Sequence, residues 1–288
     1  LLQCELLGET CDNKKIFLYQ HQSSNPIMRE IGRLREIAFR AVGEGSGMRR
    51  DTDKYDRYYQ HLVLWDPVDL EIVGSYRFAG AKEVHKNQGS DALYSQSLFE
   101  YQAGFAPYFE QGLELGRSFV QPKYWGKRSL DYLWIGIGAF LVKNPQYRYL
   151  FGPVSLSDNL PDPAKERLIH FYKTQFCNEQ SLARSFSPYT FNEDKLKQLN
   201  MQYSQLDYSQ GFKQLKQTMA SMGAAVPALY KQYGELCHDD GVSFLDFGID
   251  AEFGDCIDGL VLVDTHKLKD KKRSRYFDCP RAEVGAIK

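Results

Sequence analysis

The segment from residue 113 to residue 154 limits the fold more than any other part of the chain. It reads as a strand (113–120), a tight basic turn, an apolar helix (128–142) and a second strand (149–154). Because a helix crosses between them, the two strands are expected to be parallel. The first backbone N–H groups of the helix have no internal partner, so this segment also predicts an anion site that suits a phosphate.

Composition limits the classes of protein that the chain can belong to. With 288 residues it can bury a full core, and 43% apolar with 25% charged residues is ordinary for a globular protein. A net charge of −1 argues against a polybasic nucleic-acid binder, so no nucleic-acid partner is expected. No apolar run approaches the roughly 18 residues that a membrane-spanning helix needs.

The cysteines give no sign of a metal site. They form no C-x-x-C pair and no Cys/His cluster with zinc spacing, so no metal is expected. Scattered cysteines in a chain of this length indicate reduced thiols and therefore a cytoplasmic protein. The six positions are Cys4, Cys11, Cys177, Cys237, Cys256 and Cys279.

The remaining pattern predicts an α+β fold. A hairpin around residues 12–14, a helix at 27–41 with apolar residues at helical spacing, and a hairpin of strands 61–65 and 72–78 precede the segment described above. Helices and two closing strands follow it, at 163–176, 212–222, 227–237, 242–247 and 257–263. This order predicts a mixed sheet flanked by helices, and it resembles the GNAT acyltransferase fold.

Glu114 and Arg117 are the first chemical candidates. Residues three apart on a regular strand point to opposite faces, so one of them is expected to face a cleft while the other braces the sheet. A carboxylate in a cleft can accept the proton that an amine loses when it attacks a thioester. Glu114 is therefore the first candidate for a general base, and Asp53 is the second.

Several charged residues resemble the signature of acyl-homoserine-lactone synthases. That signature has an arginine and a phenylalanine on the first helix, two aspartates three apart in the next loop, an arginine on a strand, and Glu-x-x-Arg. The matching residues occur in the same order and are Arg35, Phe39, Asp53, Asp56, Arg77, Glu114 and Arg117. The resemblance implies that the arginines hold the acceptor's carboxylate or order the loop, since guanidinium binds carboxylate bidentately.

A closer resemblance covers nearly the whole chain. The runs 28–36, 41–45, 113–133 and 244–248 are similar to the ornithine-lipid N-acyltransferases, which are also called hemolysin-like, and most of all to the C-terminal half of bifunctional ornithine lipid synthases. It implies one domain over 1–288 with a helical insertion at roughly 163–225, as a fragment of a longer two-domain protein. It also implies transfer of a 3-hydroxyacyl group from acyl carrier protein to the α-amino group of ornithine.

The basic turn is expected to hold the donor's phosphate. Larger residues stand where the usual GNAT loop has small ones, so a coenzyme A pyrophosphate would be cramped. A carrier's single phosphodiester needs only nearby cations and the helix N-terminus, and an acidic carrier surface would favour the same cations. The expected contacts are Val120, Gly126, Lys127, Arg128 and Ser129. No cofactor is expected other than the phosphopantetheine of the carrier.

Two other functions fit the same residues. One is a lactone synthase that uses S-adenosylmethionine, and the other is a non-catalytic module that binds acyl carrier protein. Peripheral contact with the inner membrane face is a further expectation, because the product is an amphiphile and the segment 212–222 combines lysines with apolar residues. Packing of that segment in the core explains it equally well.

Overall fold

The computed structural model describes residues 1, 3–21, 26–203, 205–238 and 240–278. Its main feature is an eight-stranded mixed sheet with the strand order β1-β2-β3-β4-β6-β7-β10-β9, and a small second sheet pairs β5 with β8. The strands are β1 (Glu5–Glu9), β2 (Lys15–Gln20), β3 (Gln60–Asp66), β4 (Glu71–Gly80), β5 (Phe99–Tyr101), β6 (Gly112–Val120), β7 (Tyr149–Leu156), β8 (Ala183–Ser185), β9 (Val242–Asp250) and β10 (Cys256–Asp264).

Helices cover both faces of the large sheet. They are α1 (Pro26–Arg40), α2 (Ala81–Gln88), α3 (Ala106–Glu110), α4 (Ser129–Lys143), α5 (Asp162–Gln175), α6 (Glu193–Tyr203), α7 (Tyr208–Ser221), α8 (Ala228–Gly234) and α9 (Asp270–Tyr276). The predicted hairpins, the helix at 27–41 and the strand–helix–strand segment are all confirmed, within a few residues at each end.

The two faces of the sheet carry different helices. On the face that we call the α4 face, one large apolar core joins the inward residues of the strands to α4, α5, α7 and α8. On the opposite face, called the α1 face, smaller cores lie under α1 and under α2. Alternation along the strands produces this division: Leu113 and Leu115 of β6 belong to the α4 face, whereas Glu114 between them points to the α1 face.

The parallel strands β6 and β7 separate after a short paired stretch. They pair from Gly112 with Tyr149 to Glu114 with Phe151, and no further pair between them occurs in the described part of the chain. Gly152 follows at once with φ +152°, and a Cβ there would lie 2.0 Å from the carbonyl oxygen of Leu115. The close backbone approach at Gly152 therefore marks the point where the strands diverge and a cleft opens in the sheet.

A β-bulge in β6 changes the direction of Arg117. Pairing with β4 shifts register between Ser75 and Arg77, and Arg117 adopts φ +47°. An extra residue reverses the alternation of a strand. The prediction that Glu114 and Arg117 point to opposite faces is therefore wrong: the backbone of Tyr94 bonds to Glu114 and its ring lies against Arg117, so both face the α1 side.

The segment predicted as an insertion is joined to the main core. Leu168 and Tyr172 of α5, and Leu215 of α7, are fully buried in the core of the α4 face. The polar stretch 178–209 contains β8 and α6, which its composition did not reveal. The domain boundaries remain a prediction.

The C-terminal segment is more ordered than its charge suggests. The basic run 267–275 predicts a solvated tail. Most of its side chains are exposed, as predicted, but part of the run is helical, because α9 begins at Asp270 and packs on α4. Tyr276 is buried against Trp134, with ring centroids 5.8 Å apart, and this aromatic residue anchors the charged helix.

The apolar residues of α7 pack in the interior of the protein. Phe212, Leu215 and Met219 recur at helical spacing and lie in the core. Core packing therefore accounts for this segment, and membrane contact remains a prediction. No helix among the described residues has the length and apolar character to cross a bilayer.

The divergence of β6 and β7 predicts a severe effect of Gly152→Ala. The added methyl group would meet the backbone of Leu115 and would sit at a φ value that only glycine adopts readily. We expect the free energy of unfolding in denaturant to fall by about 2–4 kcal/mol.

Gly8→Ala is the matched control. A Cβ at Gly8 meets nothing within 4 Å, so its unfolding free energy should change by less than about 1 kcal/mol. Equal stability of the two variants would contradict the proposed role of Gly152.

Candidate active site

A cavity of about 860 Å³ lies in the cleft between β6 and β7. Its walls include the diverging halves of both strands, from Gly116 to Val120 on one side and from Pro153 to Ser157 on the other. It continues to both faces of the sheet, because residues from α1 and residues from α4 and α8 line it. A cleft that connects the two faces lets two ligands approach the same point from opposite sides.

The part of the cavity on the α4 face is mainly apolar. Leu130 of α4 faces Ala228 and Leu229 of α8 across it, together with Leu160 and the ring of Tyr76. Charged and amide groups of α4 and α8 lie there as well, namely Asp131, Lys231, Gln232 and Glu235. Such walls suit the uncharged part of a long ligand whose polar end reaches the surface.

The sequence predicts an anion site at the turn before α4. Gly126 has φ +73° and no neighbour that a Cβ would touch, and it lines the cavity beside Lys127. No described side chain caps the N-terminus of α4. The first backbone N–H groups of this 15-residue helix are therefore available, beside a cation, to an anionic ligand.

The residues expected to contact a phosphate differ in their positions. Val120, Gly126 and Lys127 line the cavity, and the carbonyl oxygen of Val120 also accepts a hydrogen bond from the Trp125 ring at 2.8 Å. Arg128 is exposed beside Tyr132 and does not line the cavity. Ser129 is buried and does not line the cavity.

Arg117 is the cation of the cavity on the α1 face. Its guanidinium lies 4.2 Å from the ring centroid of Phe253 and 4.9 Å from that of Tyr94. Its nearest carboxylates, Asp51 and Asp53, are both 3.8 Å away, and its Nε has no hydrogen-bond partner in the described structure. A largely buried guanidinium with loose partners can bind an anion that enters the cavity.

Two carboxyl groups face the same space. Asp258 of β10 is buried, and burial raises its pKa to about 7, with the charge of Asp250 adding to the effect and a hydrogen bond from Ser155 opposing it. Glu44 follows α1, and burial, with the nearby charge of Asp258, raises its pKa to about 7 as well. Groups that change protonation near pH 7 are suited to proton transfer.

A closed cluster of charges lies beside the cavity. Arg35 donates hydrogen bonds to both carboxylate oxygens of Asp56, at 3.1 and 2.9 Å, and its Nε lies 2.8 Å from Asp51. Arg77 donates to Asp53 at 2.6 Å and to Asp56 at 2.9 Å. The structure thus brings together four residues that the sequence singled out, but against each other and outside the cavity lining: Arg35, Asp53, Asp56 and Arg77.

Electrostatics make this cluster a structural unit. Burial alone would raise the pKa of Asp56, but the charges of Arg35 and Arg77 outweigh it and hold that pKa well below the usual range. Asp53 caps the short 3₁₀ turn Lys54–Arg57, because its carboxylate accepts from the backbone N–H groups of Tyr55 and Asp56. The geometry favours ordering of the loop over direct binding of substrate.

His61 belongs to the same cluster, which sequence reasoning did not foresee. Its Nε2 lies 3.7 Å from Asp56, and the ring is fully buried. Burial lowers the pKa of His61 to about 3, with the charge of Asp56 opposing this and the two arginines reinforcing it. The ring is therefore neutral at physiological pH and adds no positive charge to the cluster.

The position of Glu114 argues against the role of base that the sequence suggested. It is buried outside the cavity lining, and its carboxylate accepts hydrogen bonds from the backbone of Ser95 at 2.7 Å, the backbone of Tyr94 at 3.1 Å and the Tyr59 hydroxyl. Burial raises the pKa of Glu114, and these hydrogen bonds oppose the rise. Its oxygens are occupied by the segment that they hold in place.

Sequence reasoning missed Asp258, Ser155 and Glu44. The run 256–263 reads as a closing strand, and nothing local distinguishes an aspartate within it from a surface residue. Glu44 lies in the run 41–45, one of the runs that resemble the ornithine-lipid N-acyltransferases. That resemblance is the sequence signal that could have pointed to Glu44. Phe39 was expected at the site, and it does line the cavity against Phe253, with ring centroids 5.0 Å apart.

The charged clusters are not arranged as a metal centre. Among the residues that the structure describes, no group of three or more His, Cys, Asp or Glu side chains is placed to hold a metal ion.

Comparison with known proteins identifies the family. The description "Acetyltransferase (GNAT) domain" matches residues 34–135, which include the C-terminal half of α1, the charge cluster and the start of α4. The glycine N(alpha)-acyltransferase of Bacteroides thetaiotaomicron is 31% identical over 277 residues, which span 92% of this chain and 81% of that protein. The chain belongs to the N(alpha)-acyltransferase family. Its fold is the GNAT fold, with a mixed sheet flanked by helices.

A relative named for ornithine and a solved structure are also similar to this chain. The L-ornithine N(alpha)-acyltransferase of Brucella abortus is 30% identical over 141 residues, which are 44% of this chain and 49% of that protein. Among solved structures, the acyl-homoserine-lactone synthase LasI aligns over 92% of this chain and 95% of its own, with 9% identity and a TM-score of 0.42.

The hydrogen bonds of Glu114 predict a structural effect of Glu114→Gln in this acyltransferase. An amide has one accepting oxygen, so its NH₂ group would face a backbone N–H or the Tyr59 hydroxyl. We expect the free energy of unfolding to fall by about 1–3 kcal/mol, measured by denaturant titration.

Glu110→Gln serves as the control, because Glu110 is exposed and pairs only with exposed Lys82. Its stability should change by less than about 0.5 kcal/mol. A Glu114→Gln variant as stable as the wild type, with turnover abolished, would restore Glu114 as the base.

Proposed function

We propose that this enzyme transfers an acyl group from the phosphopantetheine thioester of an acyl carrier protein to the α-amino group of an amino acid, with glycine as the favoured acceptor. The main support is the cavity, which joins a phosphate-binding turn at α4 to a buried guanidinium and two carboxyl groups on the α1 face. The glycine-named relatives match 92% of the chain, which supports the acceptor.

The donor enters from the α4 side in this proposal. Its phosphate binds at Gly126, Lys127 and the N-terminus of α4, and its pantetheine arm follows β6 into the cleft. The apolar walls from α4 and α8 accept the uncharged arm and acyl chain. Backbone N–H groups of β6 between residues 117 and 120, where pairing with β7 has ended, polarise the thioester carbonyl.

The acceptor binds on the α1 side. Arg117 takes its carboxylate, because guanidinium matches that group in shape and charge. Phe39, Phe253 and Tyr94 surround this position, and large aromatic walls leave room for a small amino acid. We therefore favour glycine over the ornithine that the sequence resemblance implied, and ornithine remains the alternative.

A thiol-release assay tests this function. We expect purified protein to release thiol from 3-hydroxyacyl carrier protein when glycine is present, and mass spectrometry to detect N-(3-hydroxyacyl)glycine. Ornithine and lysine are expected to support at least ten-fold lower kcat/KM, since a longer side chain meets the aromatic wall.

Other outcomes of this assay are informative. Release that depends on ornithine but not glycine would contradict the acceptor and restore lyso-ornithine lipid synthesis. No release with any amino acid, alongside binding of the carrier, would contradict the enzyme and favour a binding module.

The phosphate site predicts an effect of Lys127→Glu on the donor. The substitution replaces a cation at the cavity mouth with an anion beside the α4 N-terminus, so we expect KM for the acyl carrier protein to rise about ten-fold with kcat little changed. Steady-state kinetics with acyl-pantetheine, which lacks the phosphate, should show no such difference.

Lys213→Glu is the matched control, because Lys213 is exposed on α7 and outside the cavity lining. It makes the same change in net charge. Equal effects of both variants on KM would show that only the overall charge matters and would contradict the phosphate site.

A further inference from the structure

Asp258 occupies an unusual place in the sheet. It lies on β10, which pairs on both sides, and its side chain reaches the cavity between β6 and β7. The Ser155 hydroxyl of the neighbouring strand donates a hydrogen bond to it at 2.7 Å. Burial of a carboxylate is costly in free energy. A buried carboxyl group that has one orientation and faces a ligand cavity is therefore better explained by a role in the reaction than by a contribution to stability.

The groups around Asp258 come from every element that packs near it. Arg117 of β6 is the nearby cation, and Glu44 and Asp250 are the nearby carboxyl groups. The hydroxyls of Tyr94 and Tyr230 and the thiol of Cys256 also sense its charge. The surroundings contain more potential negative charge than positive charge, so they favour arrival of an ammonium group.

Glu114 and Asp53, the bases that the sequence suggested, are less suitable. The oxygens of Glu114 are bound to the segment at Tyr94, and Asp53 caps a turn and holds Arg77. Asp258 has one hydrogen bond from a side chain and lines the cavity. A general base must lie within hydrogen-bond reach of the proton that it removes, which favours a group on the cavity wall.

We propose that Asp258 is the general base of acyl transfer, positioned by Ser155 and assisted by the charge of Glu44. This inference rests on the proposed function. The acceptor enters as an ammonium and loses one proton to solvent. Its nitrogen then attacks the thioester carbon, and as the C–N bond forms Asp258 takes a second proton. The C–S bond breaks with its electron pair on sulfur, and Asp258 returns that proton to the thiolate, which leaves as a thiol.

The assignment predicts a particular dependence on pH. An ionised Asp258 is the active form, so kcat should fall on the acid side of pH 7, where the carboxyl group becomes protonated. The hydrogen bond from Ser155 lowers the pKa of Asp258, so removing it should move that acid limb to higher pH.

Asp258→Asn tests the base directly. We expect kcat to fall at least 100-fold, KM for glycine to change less than three-fold, and the acid limb near pH 7 to disappear. Ser155→Ala should lower kcat less than Asp258→Asn does, and it should move the acid limb to higher pH. Asp255→Asn is the control for both, because Asp255 is exposed in the turn between β9 and β10, and it should match the wild type.

Each contrary outcome has a distinct meaning. Equal kcat and equal pH profiles for Asp258→Asn and Asp255→Asn would overturn the assignment. Loss of the acid limb in Glu44→Gln but not in Asp258→Asn would move the base to Glu44. Wild-type protein without thiol release for any amino acid would overturn the proposed function, and this inference with it, before any variant is compared. Thermal unfolding of each variant separates misfolding from loss of chemistry, and Ser155→Ala provides the pH test if Asp258→Asn fails to fold.

Discussion

The site depends on one backbone constraint, the separation of β6 from β7 after Glu114 and Phe151. Gly152 allows the strands to approach to backbone contact and then diverge, and the bulge at Arg117 turns the other strand away. The cavity and the charged groups that line it are arranged around the gap that results. If the strands stayed paired, their hydrogen bonds would close the cleft, and no ligand could reach its centre.

The charges near the gap belong to two separate systems. Arg35 and Arg77 form a buried network with aspartates, whose short ion pairs hold the loop at residues 51–57. Removal of one member of such a network is costly because it leaves an uncompensated buried charge. Arg117 lies at the edge of this network with longer ion pairs, so its charge remains available to the cavity. The distinction between short and long contacts thus separates the two arginines that hold the loop from Arg117, which we propose binds the acceptor.

The sequence predicted the framework well because its signals are local. Apolar spacing along α1, turn residues between β3 and β4, and the apolar run of α4 each specify an element without reference to the rest of the chain. The family resemblance singled out four residues that pair with one another in the structure, namely Arg35, Asp53, Asp56 and Arg77. The phosphate site at the turn before α4 stays a prediction, which rests on glycine, cations and a helix N-terminus that are adjacent in sequence.

What the sequence could not supply was long-range geometry. The bulge at Arg117 reverses a strand that looks regular, so the expected faces of Glu114 and Arg117 could not be correct without the pairing register of β4. Asp258 and Ser155 are about a hundred residues apart and meet only because β10 pairs with β7. The carboxylate oxygens of Glu114 accept hydrogen bonds from a loop, and no local pattern in the sequence specifies the position of that loop.

The most direct test of the central claim is a crystal structure with glycine and a stable acyl-pantetheine thioether, which keeps the donor's shape without a reactive thioester. We expect the sulfur between β6 and β7, the glycine carboxylate on Arg117, and the glycine nitrogen within hydrogen-bond distance of Asp258. Glycine bound instead beside Glu114 or Asp53, with Asp258 facing only protein, would contradict the account.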